Sequence, residues 1–157
     1  MTWAGARRSG CFALVSLCVG ATSRTQATSS APDEPAHVSV TGNDYAFVDF
    51  PASIAAGKTL FSFDNRGKVR HELSMVLLQP GVTVQQVLEK GPGAATSRAM
   101  AQRLIGILIA RPGEASGGQL HVELVSGQRY LVVCTLKDAP DARPHAELGM
   151  VTSFDVP

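Results

Sequence analysis

Apolar and polar residues alternate with a period of two through most of the chain beyond residue 36. Val38 and Val40, Tyr45 and Phe47, and Phe61 and Phe63 each sit two apart, and their runs stop at turn-forming stretches such as Asp49-Phe50-Pro51 and Asp64-Asn65-Arg66-Gly67. The next run places His71, Leu73, Met75 and Leu77 on one face, with Glu72 and Ser74 opposite. Later, Leu120, Val122 and Leu124 lead to a Ser126-Gly127 turn. Tyr130, Val132 and Cys134 then alternate with Leu131 and Val133, and the chain closes on Met150, Thr152, Phe154 and Val156. A period of two gives a strand one inward and one outward face, so short strands punctuated by turns predict an antiparallel all-β sandwich.

The middle of the chain breaks the pattern. Residues 83–90 and 97–109 are richer in helix formers, with Val84, Val87 and Leu88, then Met100, Leu104 and Leu108, at helical spacings. Thr83 is placed to cap the first stretch, Gly91-Pro92-Gly93 joins the two, and Arg111-Pro112-Gly113 ends the second. The expectation is a helical insertion between strands.

The N-terminus reads differently again. Arg7 and Arg8 precede an apolar run of ten residues, Cys11 to Gly20, and then a small, polar stretch containing Thr25-Gln26-Ala27. That is the layout of a secretory signal, and the run is about half the roughly 20 residues that span a bilayer. Residues 1–27 are thus expected to be a signal peptide, 28–35 (with two prolines) a linker, and 36–157 the folded domain. Cleavage after Ala27 leaves 130 residues with eleven Lys and Arg against thirteen Asp and Glu. This balance provides no basic field for nucleic acid. Cys11 and Cys18 leave with the signal, so Cys134 becomes a lone cysteine in an exported, oxidising setting, with no intramolecular partner.

Taken singly, the chemically capable residues have ordinary readings. Cys134 suits a core position, Met150 fills apolar gaps, and His71 and His145 suit a strand end and a loop. His37 and His121 read as solvent-facing, Arg66, Lys68 and Arg70 as a solvated run before His71, and Gly117-Gly118 as an ordinary turn. Jointly, one thiolate, two imidazoles and a thioether form the donor set of a blue-copper centre. Soft sulfur favours Cu(I), and imidazole suits both oxidation states.

The stretch from Cys134 through His145 to Gly149-Met150, with His71-Glu72 upstream, resembles the copper-binding region of the cupredoxins, the plastocyanin- and azurin-like proteins. The order His, long gap, Cys, short loop, His, four residues, Met is that of the family, and the similarity covers Ala36 to Pro157. The resemblance implies a Greek-key β-sandwich whose ligand loop joins the last two strands, an exported location, and electron transfer by one copper ion cycling between Cu(I) and Cu(II). It implies Cys134 as thiolate ligand, His71 and His145 as equatorial nitrogens, Met150 as weak axial sulfur, and His145 as the solvent-nearest edge where electrons pass. Two departures stand out. Ten residues separate Cys134 from His145, more than in plastocyanin or azurin, and Glu72 stands where small blue-copper proteins usually carry Asn. In the family that Asn ties the ligand loop to its neighbouring strand, so Glu72 either replaces the tie or leaves the site looser.

The expected function is a one-electron carrier in the periplasm or outside the cell, with a redox protein as partner and no transmembrane segment in the mature chain. The alternatives are a periplasmic copper-handling protein that passes the ion to an acceptor, and a metal-free interaction domain on the same fold. Catalysis is not expected. A Cys and a His allow a thiol nucleophile in principle, but nothing in the sequence orients a base, and the acids are scattered through turns.

Overall fold

The alternating runs become strands in the computed structural model, which describes residues 1–2 and 34–157. The expected signal, and the linker up to residue 33, lie outside the described residues apart from Met1 and Thr2. The chain divides into two units, Met1–Ser30 and Ala31–Pro157, and the second is an all-β sandwich. Its strands are β1 (Ala36–Asn43), β2 (Ala46–Val48), β3 (Gly57–Asn65), β4 (His71–Leu78), β5 (Ala101–Ala110), β6 (Leu120–Leu124), β7 (Arg129–Val133) and β8 (Val151–Asp155). They form two four-stranded sheets, ordered β2-β1-β3-β6 and β5-β4-β7-β8. Among the described residues no helix is long and apolar enough to cross a membrane.

Between the sheets the inward faces build one core. Phe61 and Phe63 from β3 meet Leu73, Met75 and Leu77 from β4, Tyr130 and Val132 from β7, and Phe154 from β8. Tyr130 stacks on Phe154 with ring centroids 5.1 Å apart, and Phe61 meets the same Phe154 ring at 6.1 Å. Aromatic pairs of this kind add about 0.5–1.5 kcal/mol each beyond the area they bury. This core anchors the ends of β4 and β7, from which the chemically capable residues project.

Two expectations are corrected. First, the sandwich is not wholly antiparallel: β1 and β3 pair in parallel, from Ala36 opposite Thr59 to Gly42 opposite Asn65. Strand β2 runs back along β1, and residues 49–56 complete the return, so β3 begins level with the start of β1. Second, residues 97–109 are not helical. The insertion is only a six-residue helix α1 (Val84–Glu89), with Thr83 as its cap in a reciprocal hydrogen-bonded pair with Gln86, and a 3-10 turn at Pro92–Thr96. The chain then enters β5, whose register against β4 slips twice, leaving Gln102 and Ile105 as extra residues. Two bulges in ten residues stretch a period of two until it imitates a helical one. Leu104 lies opposite Val76 and Leu108 opposite Leu73, so the apparent helical pair faces opposite sides of the sheet.

The face of β4 that carries Glu72 and Ser74 is buried as fully as the other, and all eight residues of the strand are enclosed. The insertion covers this outer face, packing Val87 and Ala95 against Val76, Leu78, Leu131 and Val133 in a second apolar cluster. A strand covered on both sides fixes whatever side chains stand at its end, and His71 is its first residue.

Candidate metal centre

His71 leads β4, Cys134 directly follows β7, His145 opens a short 3-10 turn (His145–Leu148) in the β7–β8 loop, and Met150 directly precedes β8. The loop is tied to itself by its backbone. The Cys134 amide donates to the Met150 carbonyl at 3.0 Å, that of Ala146 to Cys134 at 2.8 Å, that of His145 to Leu136 at 2.8 Å, and that of Met150 to His145 at 2.9 Å. Gly149, with φ of 120°, makes the turn that lets the last of these bonds close. These bonds hold Cys134, His145 and Met150 together at the root of the loop.

His71, Cys134 and His145 offer ligand atoms that all lie within 4.8 Å of one another. The two imidazole Nδ1 atoms are 3.1 Å apart, and Cys134 Sγ is 3.4 Å from His145 Nδ1. The three residues are 0%, 0% and 1% exposed. Met150 is also fully buried, with its terminal methyl against Gly42, where an added Cβ would come within 3.1 Å of it. His37 and His121 are exposed, as their place in the sequence suggests.

Burial governs the charge state of the site. It pushes the Cys134 thiol up to about 11, partly offset by the backbone amides of Glu72 and Leu136. Burial also lowers the titration of His71, and the neighbouring His145 lowers it further. The metal-free pocket therefore holds a neutral thiol, which gives up its proton on binding a metal, and a His71 imidazole kept unprotonated, the form that binds one. Two imidazole nitrogens and a sulfur facing one another in a dry site match the donor preferences of a single copper ion.

Surrounding residues hold the donors in place. The Glu72 carboxylate accepts hydrogen bonds from the Thr135 amide at 2.8 Å and the Thr135 hydroxyl at 2.7 Å, and the Glu72 amide lies 3.4 Å from Cys134 Sγ. Glu72 is therefore itself the tie between β4 and the ligand loop. Before His71, the fully buried Asn65 pins the chain, accepting from the Gly67 amide and donating to the Val69 and Ala110 carbonyls.

Gly67 is legible in the sequence only as a turn residue, yet its missing side chain makes room for the site. A Cβ there would lie 2.9 Å from His71 Nε2 and 2.7 Å from Asp44 Oδ1. Neither neighbour can retreat cheaply, because His71 is enclosed and Asp44 accepts from the Lys68 amide. Gly67→Ala is expected to destabilise the fold by about 1–3 kcal/mol through overpacking. It should also weaken copper binding about tenfold or more by tilting His71, as read by metal titration of the purified variant.

One expectation fails at His145. Its ring is not an open edge, because Nε2 lies 3.0 Å from Asp138 Oδ1 and the residue is buried. Tyr45 closes the remaining side, donating its hydroxyl to the other oxygen of Asp138. The Tyr45 ring stands edge-on to both imidazoles, at 5.0 Å from His145 and 6.1 Å from His71. Neither residue carries a signal in the sequence. Asp138 is one of two aspartates in the ligand loop, and Tyr45 reads as an alternating strand residue.

No family model matches the chain, and no curated protein matches it in sequence. Solved structures do. The auracyanin of the photosynthetic bacterium Roseiflexus castenholzii, in its dithionite-reduced form, aligns over 77% of this chain and 96% of its own, with 16% identity and a TM-score of 0.53. Auracyanin B aligns over 81% of this chain and 93% of its own, with 20% identity and a TM-score of 0.55. Two four-stranded sheets, a ligand loop between the last two strands, and a His-Cys-His cluster at the loop's end together give this chain the fold of the cupredoxins.

Proposed function

We propose that the protein is an exported, mononuclear type 1 copper protein that carries one electron at a time to or from a redox partner. The observation that carries this reading is the convergence of two imidazole nitrogens and one thiol sulfur, all buried and all within 4.8 Å. His71, His145 and Cys134 would hold the ion, and Met150, next to the loop's closing bond, would supply the weak axial sulfur. Copper held there supplies a one-electron couple at a donor set acceptable to both oxidation states.

The chain's own contribution is rigidity and exclusion of water. β4 is covered on both faces, the ligand loop is cross-tied, and Glu72 links the two. Donors that are 0–1% exposed and held by such ties favour retention of the ion over its handover, which supports an electron carrier above a copper-delivery protein. The same burial argues against thiol catalysis, since a thiol raised to about 11 is a poor nucleophile at neutral pH.

The test is to load the purified domain with Cu(II). One equivalent, an intense blue absorption and reversible one-electron cycling are expected. A colourless complex, or one that cycles slowly and surrenders Cu(I) to a competing chelator, would overturn the carrier reading. Met150→Leu conserves volume and should cost under about 1.5 kcal/mol. It is expected to keep the blue colour and raise the potential, as measured by voltammetry.

A further inference from the structure

The family resemblance gives His145 an open edge, whereas the folded chain closes it with two residues that the ligand set does not include. Asp138 places Oδ1 at 3.0 Å from His145 Nε2, and its Oδ2 accepts from the Tyr45 hydroxyl. An ionised carboxylate has no proton to give, so His145 Nε2 must be the donor. In the neutral ring the lone pair then falls on Nδ1, the atom that faces Cys134 Sγ at 3.4 Å and His71 Nδ1 at 3.1 Å. One carboxylate thus selects both the tautomer and the direction of the ring.

Tyr45 is built for this place at some backbone cost. Its φ is 60°, in the left-handed region that residues other than glycine seldom adopt, and such strain persists only where the surroundings enforce it. Here the turn between β1 and β2 holds it, with Asn43 opposite Ala46. On the other side its carbonyl lies close to Gly149, where an added Cβ would come within 3.3 Å. The phenol is thereby wedged between the first hairpin and the ligand loop, edge-on to both imidazoles.

We propose that Asp138 is a positioning residue for the metal centre, locking His145 with its proton on Nε2 and its Nδ1 toward the ion, and that Tyr45 holds Asp138 in place. This rests on the copper reading only for its metal-loaded consequences, because the tautomer is set in the metal-free protein. A carboxylate on the outer nitrogen makes the ligating nitrogen more basic and places negative charge beside the centre. Both effects favour Cu(II) over Cu(I), so the pair lowers the potential relative to a site with an open histidine edge.

The test combines nitrogen-15 NMR of the imidazoles in the metal-free protein with Cu(II) titration and voltammetry, for the wild type and for Asp138→Ala, Asp138→Asn and Tyr45→Phe. The wild type should show His145 as the Nε2–H tautomer with a slowly exchanging proton. Asp138→Ala should give a tautomer mixture, lose about 10- to 100-fold in Cu(II) affinity and raise the potential. Asp138→Asn keeps an acceptor but not the charge, so it should retain the tautomer while still raising the potential. Tyr45→Phe should move affinity and potential in the same direction as Asp138→Ala, by less. His145 protonated on Nδ1 in the wild type, or an Asp138→Ala variant unchanged in tautomer, affinity and potential, would overturn the proposal. An Asp138-dependent tautomer in a protein that takes up no copper would sink the electron-carrier reading and leave the clamp standing. Blue copper binding that is indifferent to Asp138 would do the reverse.

Discussion

Cys134→Ser is expected to abolish the blue colour of the copper-loaded protein completely and to remove most of the stabilisation that copper confers. The hydroxyl is close in size to the thiol, so the metal-free fold should survive, with a loss of about 1 kcal/mol from the buried polar group. The sulfur donor alone disappears. A serine oxygen is harder than sulfur and stays protonated, so it offers copper neither the covalency that gives the charge-transfer band nor a good site for Cu(I). Copper that binds only the folded wild type at free concentrations about 100-fold above its dissociation constant stabilises it by roughly 2.7 kcal/mol. That increment should appear as a raised melting temperature in the wild type and be nearly absent in the variant, as measured by melting curves with and without Cu(II). A variant that kept both the colour and the shift would place the centre elsewhere.

Glu72→Ala is expected to lower the stability of the fold and to loosen the metal centre together. The side chain is 6% exposed, and its carboxylate accepts from both the amide and the hydroxyl of Thr135, the residue next to Cys134. Removing it takes the charged acceptor away from both donors and detaches the ligand loop from β4. The expected cost is about 1.5–3 kcal/mol, read from denaturant unfolding of the metal-free protein. Faster copper loss should accompany it, because Thr135 carries the strain directly to the thiolate. Glu72→Gln keeps an acceptor in the same place and should restore most of the stability. A silent Glu72→Ala would mean that the self-closing bonds of the loop suffice.

The contrast between Glu72 and Asp138 shows which parts of the site can be read from a sequence. Strands β3, β7 and β8 follow directly from alternation, because each has one face on the core and one toward solvent or the outer layer. The three converging donors are also legible, because their chemistry is rare in combination even though each is ordinary alone. Glu72 stands out as a departure from a family pattern, but its role needs the register that brings it beside Thr135. Asp138 and Tyr45 meet across 93 positions of sequence, and no local pattern encodes such a pair. β5 is deceptive for a related reason. Its bulges are specified by pairing with β4, so the stretch from Ala101 to Ala110 mimics a helix in isolation and becomes a strand only beside its neighbour.

The Cys134 amide bonds to the Met150 carbonyl, and the Ala146 amide bonds back to the Cys134 carbonyl. Both ends of the loop are stitched to each other at its root, so its ten residues between Cys134 and His145 form a closed bight, and their number does not set the spacing where it meets the sheet. Loops of other lengths grafted at this seam should leave the framework beneath unaltered. Insertions and deletions can therefore tune how deeply the second imidazole is covered while Cys134 and Met150 stay registered to β7 and β8.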